Sequence, residues 1–317
     1  MISAEETGSA VFRLDALESE CPPRRPAFQA GRGLAARAIA AFGLAAALLV
    51  AVPALVVSPA AAQESHGPTV KRQDWSFAGP FGRYDEAQLQ RGFQVYREVC
   101  SACHGLKYVA FRNLGQPGAL GYSEAQVRAL AAQYQIQDGP DGSGDMFERP
   151  GRPSDHFPSP FPNDEAAAAS NNGKAPPDLS LMAKSRAVER GFPWFVIDAI
   201  TQYQEAGPDY IYGLLTGYTN PPADVTVPPG LHYNPHFISG HFLAMPPPLS
   251  DGQVEYSDGA PQTVDQYSRD VSAFLMWAAE PKLQERKQLG FKVMAFLIVF
   301  AGLLYFTKKK IWDKVAH

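Results

Sequence analysis

Cys100-Ser101-Ala102-Cys103-His104 constrains this chain more than any other feature. The spacing is C-x-x-C-H, the pattern by which a haem is attached covalently. Two thiols three positions apart on one turn reach the two vinyl groups of a haem and form thioethers. The residue that follows brings an imidazole beneath the iron as proximal ligand. A C-x-x-C pair also serves as a redox dithiol or as half of a zinc site. A dithiol wants a thioredoxin-like strand before it, and no strand pattern precedes Cys100. A zinc site wants a second ligand pair, and no further cysteine follows Cys103. One C-x-x-C-H in 317 residues, with no internal repeat, predicts one covalently bound haem.

Two apolar stretches set the expected topology. Arg24, Arg25, Arg32 and Arg37 precede the apolar run 38–52, and Ala60-Ala61-Ala62 offers a small-residue cleavage site before Gln63. Basic, apolar, small is the order of a secretory signal peptide. The second stretch, 289–306, is followed by Lys308, Lys309, Lys310 and Lys314. Apolar length sufficient for a bilayer, with lysines after it, predicts a transmembrane helix whose C-terminal end stays in the cytoplasm. The expected organisation is a presequence over 1–62, a periplasmic haem-binding domain over 63–285, and an anchor with a short cytoplasmic tail over 286–317. The location is then the inner, cytoplasmic membrane, crossed once. Cys21 falls in the presequence, so the exported body carries no spare thiol; a body of this size needs no disulfide framework.

Charge divides along the same line. The formal net charge is −4, yet 63–285 holds 26 Asp and Glu against 16 Lys and Arg, whereas 286–317 holds one Asp against seven Lys and Arg. An acidic exported face suits a basic soluble partner. The acidic residues of 138–148 (Asp138, Asp141, Asp145, Glu148) are candidates to steer one. No nucleic acid partner is expected.

Helical signals dominate. Asp85 with Gln88 forms a capping pattern, and Leu89, Phe93, Tyr96 and Val99 recur at helical spacing, which puts C-x-x-C-H at the end of a helix. A second helix is predicted over 123–134, and an amphipathic one from Thr263 to Ala279, ended by Pro281. Gln137–Pro162 reads as a long Asp-, Gly- and Pro-rich loop; Asn171–Ser180 reads as a turn into a helix capped by Asp178 or Ser180. Gly191–Ala206 is aromatic-rich, a helix or a hairpin, and 210–216 continues helically. The fold class expected is mostly α: a cytochrome c-like haem-binding domain with long loops, plus one C-terminal transmembrane helix.

The second axial ligand is harder to read. Met146, Met182, Met245, Met276, Met294, His156, His232, His236, His241 and His317 all lie downstream. Met245 stands apart because Pro246-Pro247-Pro248 follows it. A proline run fixes φ and keeps the segment extended and stiff, a low-entropy way to present a thioether to iron. Met is also a common packing residue, so the spacing alone leaves the alternatives open.

Several blocks together resemble cytochrome c1 of the cytochrome bc1 complex. They are Arg97 to His104 with Tyr108-Val109-Ala110-Phe111-Arg112, then Ala175 to Ser180, then Leu214-Leu215-Thr216-Gly217-Tyr218. Tyr233-Asn234-Pro235-His236-Phe237, Ala244-Met245-Pro246-Pro247 and Trp277 to Pro281 complete the set, in family order from about Tyr84 to the C-terminus. The resemblance implies Met245 as the second iron ligand beside His104, Arg186 at a haem propionate and Tyr210 beside the haem. It implies a cytochrome b subunit, a Rieske iron–sulfur subunit and a soluble or tethered cytochrome c as partners. Between Arg186 and Asp209 the chain departs from the shortest family pattern by an aromatic-rich insertion that includes Phe192, Pro193, Trp194, Phe195 and Tyr203.

The function expected is electron transfer from the Rieske protein to cytochrome c within a quinol–cytochrome c oxidoreductase. The chain is not an enzyme on its own, and no catalytic residue is expected in it. A haem c subunit of a terminal oxidase is the nearest alternative; such subunits typically carry an N-terminal anchor. A haem peroxidase or sensor would want an open sixth site, which a ligating Met245 closes.

Overall fold

The computed structural model describes residues 70–187 and 193–313, and of residues 199 and 200 the backbone alone. The expected presequence over 1–62, and Lys314 and His317, lie outside the described residues. The described residues form eight α-helices and four short strands. In chain order these are α1 (Glu86–Glu98), α2 (Glu124–Ala131), β1 (Gln135–Asp138), β2 (Phe147–Pro150), α3 (Asp164–Ser170), α4 (Met182–Ser185), α5 (Trp194–Thr201), α6 (Ala206–Thr216), β3 (His232–Tyr233), β4 (Phe242–Leu243), α7 (Val264–Ala279) and α8 (Leu283–Trp312).

α1 starts where the sequence expects. The Asp85 side chain accepts from the Gln88 N–H at 2.7 Å, satisfying one of the orphan donors of the first turn. Thr263 caps α7 in the same way on Gln266 N, and Ser123 with Gln126 forms a reciprocal capping box on α2. α1 and α7 pack together as the spine of the core. Leu89, Phe93, Val95 and Tyr96 meet Tyr267, Val271, Phe274 and Trp277, all buried. The rings of Phe93 and Tyr96 lie 5.6 and 5.8 Å from that of Phe274, and Phe157 stands 4.3 Å from Phe111. Each such ring contributes on the order of 1.5–3 kcal/mol by leaving water.

The close approach of α1 and α7 depends on Gly92. A Cβ there would meet the Asp270 carbonyl oxygen at 2.1 Å and Phe274 Cβ at 2.7 Å. Asp270, fully buried, is compensated from α1: Arg91 Nε donates to it at 2.8 Å, while Arg91 Nη1 reaches Asp258 at 2.7 Å. A buried carboxylate without such a partner would be strongly destabilising. α6 packs on α7, and its buried Asp209 collects the N-terminal segment, accepting from Gln73 N at 2.9 Å, Trp75 Nε1 at 2.8 Å and Tyr203 Oη at 2.6 Å.

Three local expectations change. The region predicted as one long loop contains the hairpin β1–β2, paired from Gln135↔Pro150 to Asp138↔Phe147. Arg149 donates to both Asp138 and Asp155, so ion pairs rather than an apolar face secure the hairpin, and alternation gives no cue to it. α3, capped by Asn163, was not anticipated either. The helix after Ser180 is only Met182–Ser185, and neither Asp178 nor Ser180 caps it; both side chains are engaged elsewhere.

α8 is long and apolar enough to cross a membrane, and none of its apolar window is buried. Its 30 residues span ~45 Å, more than a ~30 Å hydrocarbon layer requires. The break before it falls at 280–282, around Pro281.

Candidate functional site

The C-x-x-C-H segment is a tight 3₁₀ turn continuing from α1. Cys103 N and His104 N both donate to the Cys100 carbonyl, at 3.1 and 2.9 Å, which brings both thiols and the imidazole onto one turn. Cys100 and Cys103 are not bonded to each other. Burial, with a smaller contribution from Cys103, pushes the Cys100 thiol up to about 12. That setting makes a poor redox thiolate.

The imidazole is oriented by an irregular segment 73 residues on. His104 Nδ1 lies 2.7 Å from the Pro177 carbonyl oxygen. A carbonyl only accepts, so Nδ1 carries the proton and Nε2 keeps its lone pair. Burial holds the imidazole below its usual range, against the opposing effects of that carbonyl and of Asp178. The neutral ring is the form that ligates a metal. The support is dense. Asp178 Oδ2 accepts from Lys107 N at 2.9 Å and its Oδ1 from Ser180 N at 3.0 Å. Ser180 Oγ accepts from Tyr108 N at 3.1 Å, Leu179 N donates to the Gly105 carbonyl at 2.9 Å, and Tyr96 Oη donates to the His104 carbonyl at 3.0 Å. Asp178 and Ser180 therefore stitch the turn to 177–180 instead of capping a helix.

From Ser180 the chain enters α4 and reaches Arg186, half-buried at its C-terminal end. The Arg186 charge is felt at Tyr210, whose hydroxyl is raised in pKa chiefly by burial. Tyr210, buried on α6, accepts from Ile238 N at 3.3 Å through its hydroxyl oxygen. Ile238 belongs to the loop between β3 and β4 that leads to Met245. Tyr218, just after α6, donates its hydroxyl to the Met245 carbonyl at 3.0 Å. The same loop is organised by Asn234, fully buried, whose Nδ2 donates to the Leu214 carbonyl at 2.7 Å and whose Oδ1 accepts from His236 N at 3.0 Å. Gly217 makes room for it: a Cβ there would meet His236 Cδ2 at 2.5 Å and Asn234 Oδ1 at 2.9 Å.

Four of the alternative methionines and His156 have other places in the fold. Met276 is fully buried in α7, Met182 packs against the core, Met146 is exposed in the hairpin turn and Met294 lies on α8. His156 sits in a backbone bridge with Ala110. Among the described residues, no hydrogen bond joins His104 to Met245; the two are connected through Pro177–Ser180, Arg186, Tyr210 and the Ile238–Met245 loop. The residues fit a haem: two free thiols, an imidazole with its distal nitrogen available, and a methionine whose main chain is fixed by a tyrosine. Sequence reasoning missed the roles of Pro177, Asp178, Ser180, Tyr218 and Asn234, although each lies in a block that carries the family resemblance.

Known proteins similar to this chain point to one family. A family sequence model described as the Cytochrome C1 family matches residues 75–315. A protein of Bradyrhizobium diazoefficiens named cytochrome b/c1 is 62% identical over 239 residues, 75% of this chain and 35% of that protein. This chain thus spans about a third of that relative's length. Cytochrome c1 of Blastochloris viridis is 50% identical over 276 residues, covering 86% of this chain and 93% of the relative. A Schizosaccharomyces pombe protein named as the mitochondrial heme protein cytochrome c1 is 44% identical over 246 residues, 78% of this chain and 73% of its own.

Proposed function

This chain belongs to the cytochrome c1 family, and from that premise we propose that it is the haem c electron-transfer subunit of a cytochrome bc1-type quinol–cytochrome c oxidoreductase. It takes electrons from a Rieske iron–sulfur protein and passes them to a soluble or tethered cytochrome c, beside a cytochrome b subunit. The observation that carries the reading is the His104 Nδ1 contact to the Pro177 carbonyl beneath the C-x-x-C-H turn, which leaves Nε2 free to ligate.

In this reading Cys100 and Cys103 hold one haem by thioethers, and His104 and Met245 are its axial ligands. Arg186 lies at a propionate and Tyr210 beside the haem. The haem supplies a one-electron couple, which His–Met ligation sets high. The chain's own residues fix the ligands and exclude water. Pro177 sets the imidazole tautomer, Tyr218 and Pro246–Pro248 hold the methionine, and the apolar packing of Leu106, Val109 and Phe111 backs the turn. A tightly held site changes geometry little between redox states, which suits fast electron transfer. The haem domain is placed on the periplasmic side, with α8 as its anchor and 286–317 ending in the cytoplasm. The presequence 1–62 is removed on export.

The test is purification of the full chain from its native membrane in mild detergent. The expected result is one covalent haem per chain, co-purifying cytochrome b and Rieske subunits, and quinol-dependent reduction of cytochrome c. A chain that copurifies with terminal oxidase subunits, or whose ferrous haem binds carbon monoxide readily, overturns it.

A further inference from the structure

Two groups of large exposed apolar side chains belong to segments that are tied to the first turns of α8. Phe81 is 77% exposed, and its ring lies 6.2 Å from that of Phe291 on α8. Its loop is fastened there, since Lys287 Nζ donates to the carbonyls of Phe77, at 2.7 Å, and Gly79. The second group is the first turn of α5. Trp194, Phe195, Val196 and Ile197 are 49, 60, 40 and 41% exposed, so this turn presents apolar surface to its surroundings. The chain leaving α5 returns to the same junction. Gln204 Oε1 accepts from Arg286 Nη2 at 2.9 Å, and Arg286 pairs in turn with Glu280. Arg286 lies three residues before Leu289, the first large exposed apolar residue of the span, and so ~4.5 Å from it along the helix axis.

We infer that Phe81 and the Trp194–Ile197 turn seat in the outer interfacial layer of the bilayer, as an aromatic collar around the entry of α8. The inference rests on α8 being a membrane span. Phe81 touches a side chain of the apolar span itself, so its surface is continuous with the one that faces lipid. Tryptophan and phenylalanine are favoured at the interface, and Arg286 and Lys287 stand at headgroup height with their stems along apolar surface. Two separate contacts beside the span restrict the tilt of the haem domain over the membrane, which a single helix after a short break does not. The insertion then serves to set the height and orientation of the domain. A protein subunit covering the same side chains is the competing occupant.

The test uses the full haem-loaded chain in phosphatidylcholine–phosphatidylglycerol vesicles containing a lipid with a diazirine near its headgroup. After irradiation, adducts are mapped by peptide mass spectrometry. The expected result is lipid adducts at Phe81 and at Trp194–Ile197 besides those within 289–306. Phe81→Ser, and Trp194→Ser with Phe195→Ser, lose the adducts on their own peptides while those of the span persist. Adducts on the span alone overturn the collar and leave the span intact; adducts on none of these segments remove the span and the collar together. Repeating the irradiation in native membranes with a photo-reactive residue at 81 or 194 gives lipid adducts if the collar is right. Cross-links to a neighbouring subunit in their place overturn it in favour of a protein contact.

Discussion

The hydroxyl of Tyr218 donates to the backbone carbonyl of Met245 at 3.0 Å, so the proposed iron ligand is positioned through its main chain as well as by the prolines behind it. This separates two roles. In the proposed site the thioether of Met245 bonds the metal, and Tyr218 governs how often the loop lets go.

The two roles are separable by substitution. Met245→Leu leaves the haem covalently attached but opens the sixth position. The ferrous protein then binds carbon monoxide, and the midpoint potential falls by an appreciable part of the ~0.8 V range that axial ligands command. Tyr218→Phe keeps the methionine and removes one hydrogen bond, worth ~1 kcal/mol net. Stopped-flow mixing of the ferric protein with imidazole is expected to show ligand exchange accelerated about fivefold, with the potential nearly unchanged. A potential unchanged in Met245→Leu removes this residue from the coordination sphere.

Asp178 stitches the haem-binding turn to the segment that orients His104. Asp178→Ala deletes the acceptor for Lys107 N and for Ser180 N at once. Bonds to a charged group contribute more than neutral ones, so a loss of about 2–4 kcal/mol is expected. Denaturant unfolding of the haem-loaded protein measures it, and Asp178→Asn, which keeps an acceptor oxygen, recovers part of the loss. Equal stability of wild type and Asp178→Ala would show that the stitch is idle.

Acid is expected to open the β1–β2 hairpin before the core. The Arg149 guanidinium holds the carboxyls of both Asp138 and Asp155 below their ordinary range. A carboxylate whose pKa is depressed by folding stabilises the fold above its unfolded value, near 3.8. That contribution is lost as pH falls below 3.8 through the folded values. Hydrogen exchange of 135–150 is therefore expected to lose protection selectively between about pH 4 and pH 2. Arg149→Met lowers protection at neutral pH and removes the selective acid step. A hairpin whose exchange follows the rest of the domain at every pH would refute the ion-pair account.

How far the sequence carries the structure depends on what holds each part. α1 and α7 are legible because their caps, Asp85 and Thr263, and their apolar spacing point to one answer. The proximal half of the site is legible because its chemistry lies within five consecutive residues. The distal half is legible only through the proline run after Met245 and the family resemblance, and the fold adds that Met276 is sealed in α7 while the Met245 main chain is held by Tyr218. The hairpin escaped notice because ion pairs, not alternation, secure it. Asp178 was read as a helix cap because its true partners, Lys107 and Ser180, are set by tertiary contact.

The acidic composition of 63–285 gives the last prediction, with the loop residues now distinguishable. Asp138 is balanced by Arg149. Asp141 holds the turn, its Oδ1 accepting from Ser143 N at 2.8 Å and Asp145 N at 3.0 Å. Asp145 and Glu148 are exposed, and among the described residues their side chains make no hydrogen bond or ion pair. They can be neutralised without disturbing the hairpin. Charges at the rim of an encounter surface act mainly on association rate and are screened over a Debye length of ~10 Å at 0.1 M salt. Asp145→Asn with Glu148→Gln is expected to slow reduction of a basic cytochrome c several-fold at low ionic strength and hardly at all at high salt. Stopped-flow measurement across a salt series gives the two curves. If they coincide at low salt, this loop is only a solvated acidic surface, and the charges that steer the acceptor lie elsewhere on 63–285.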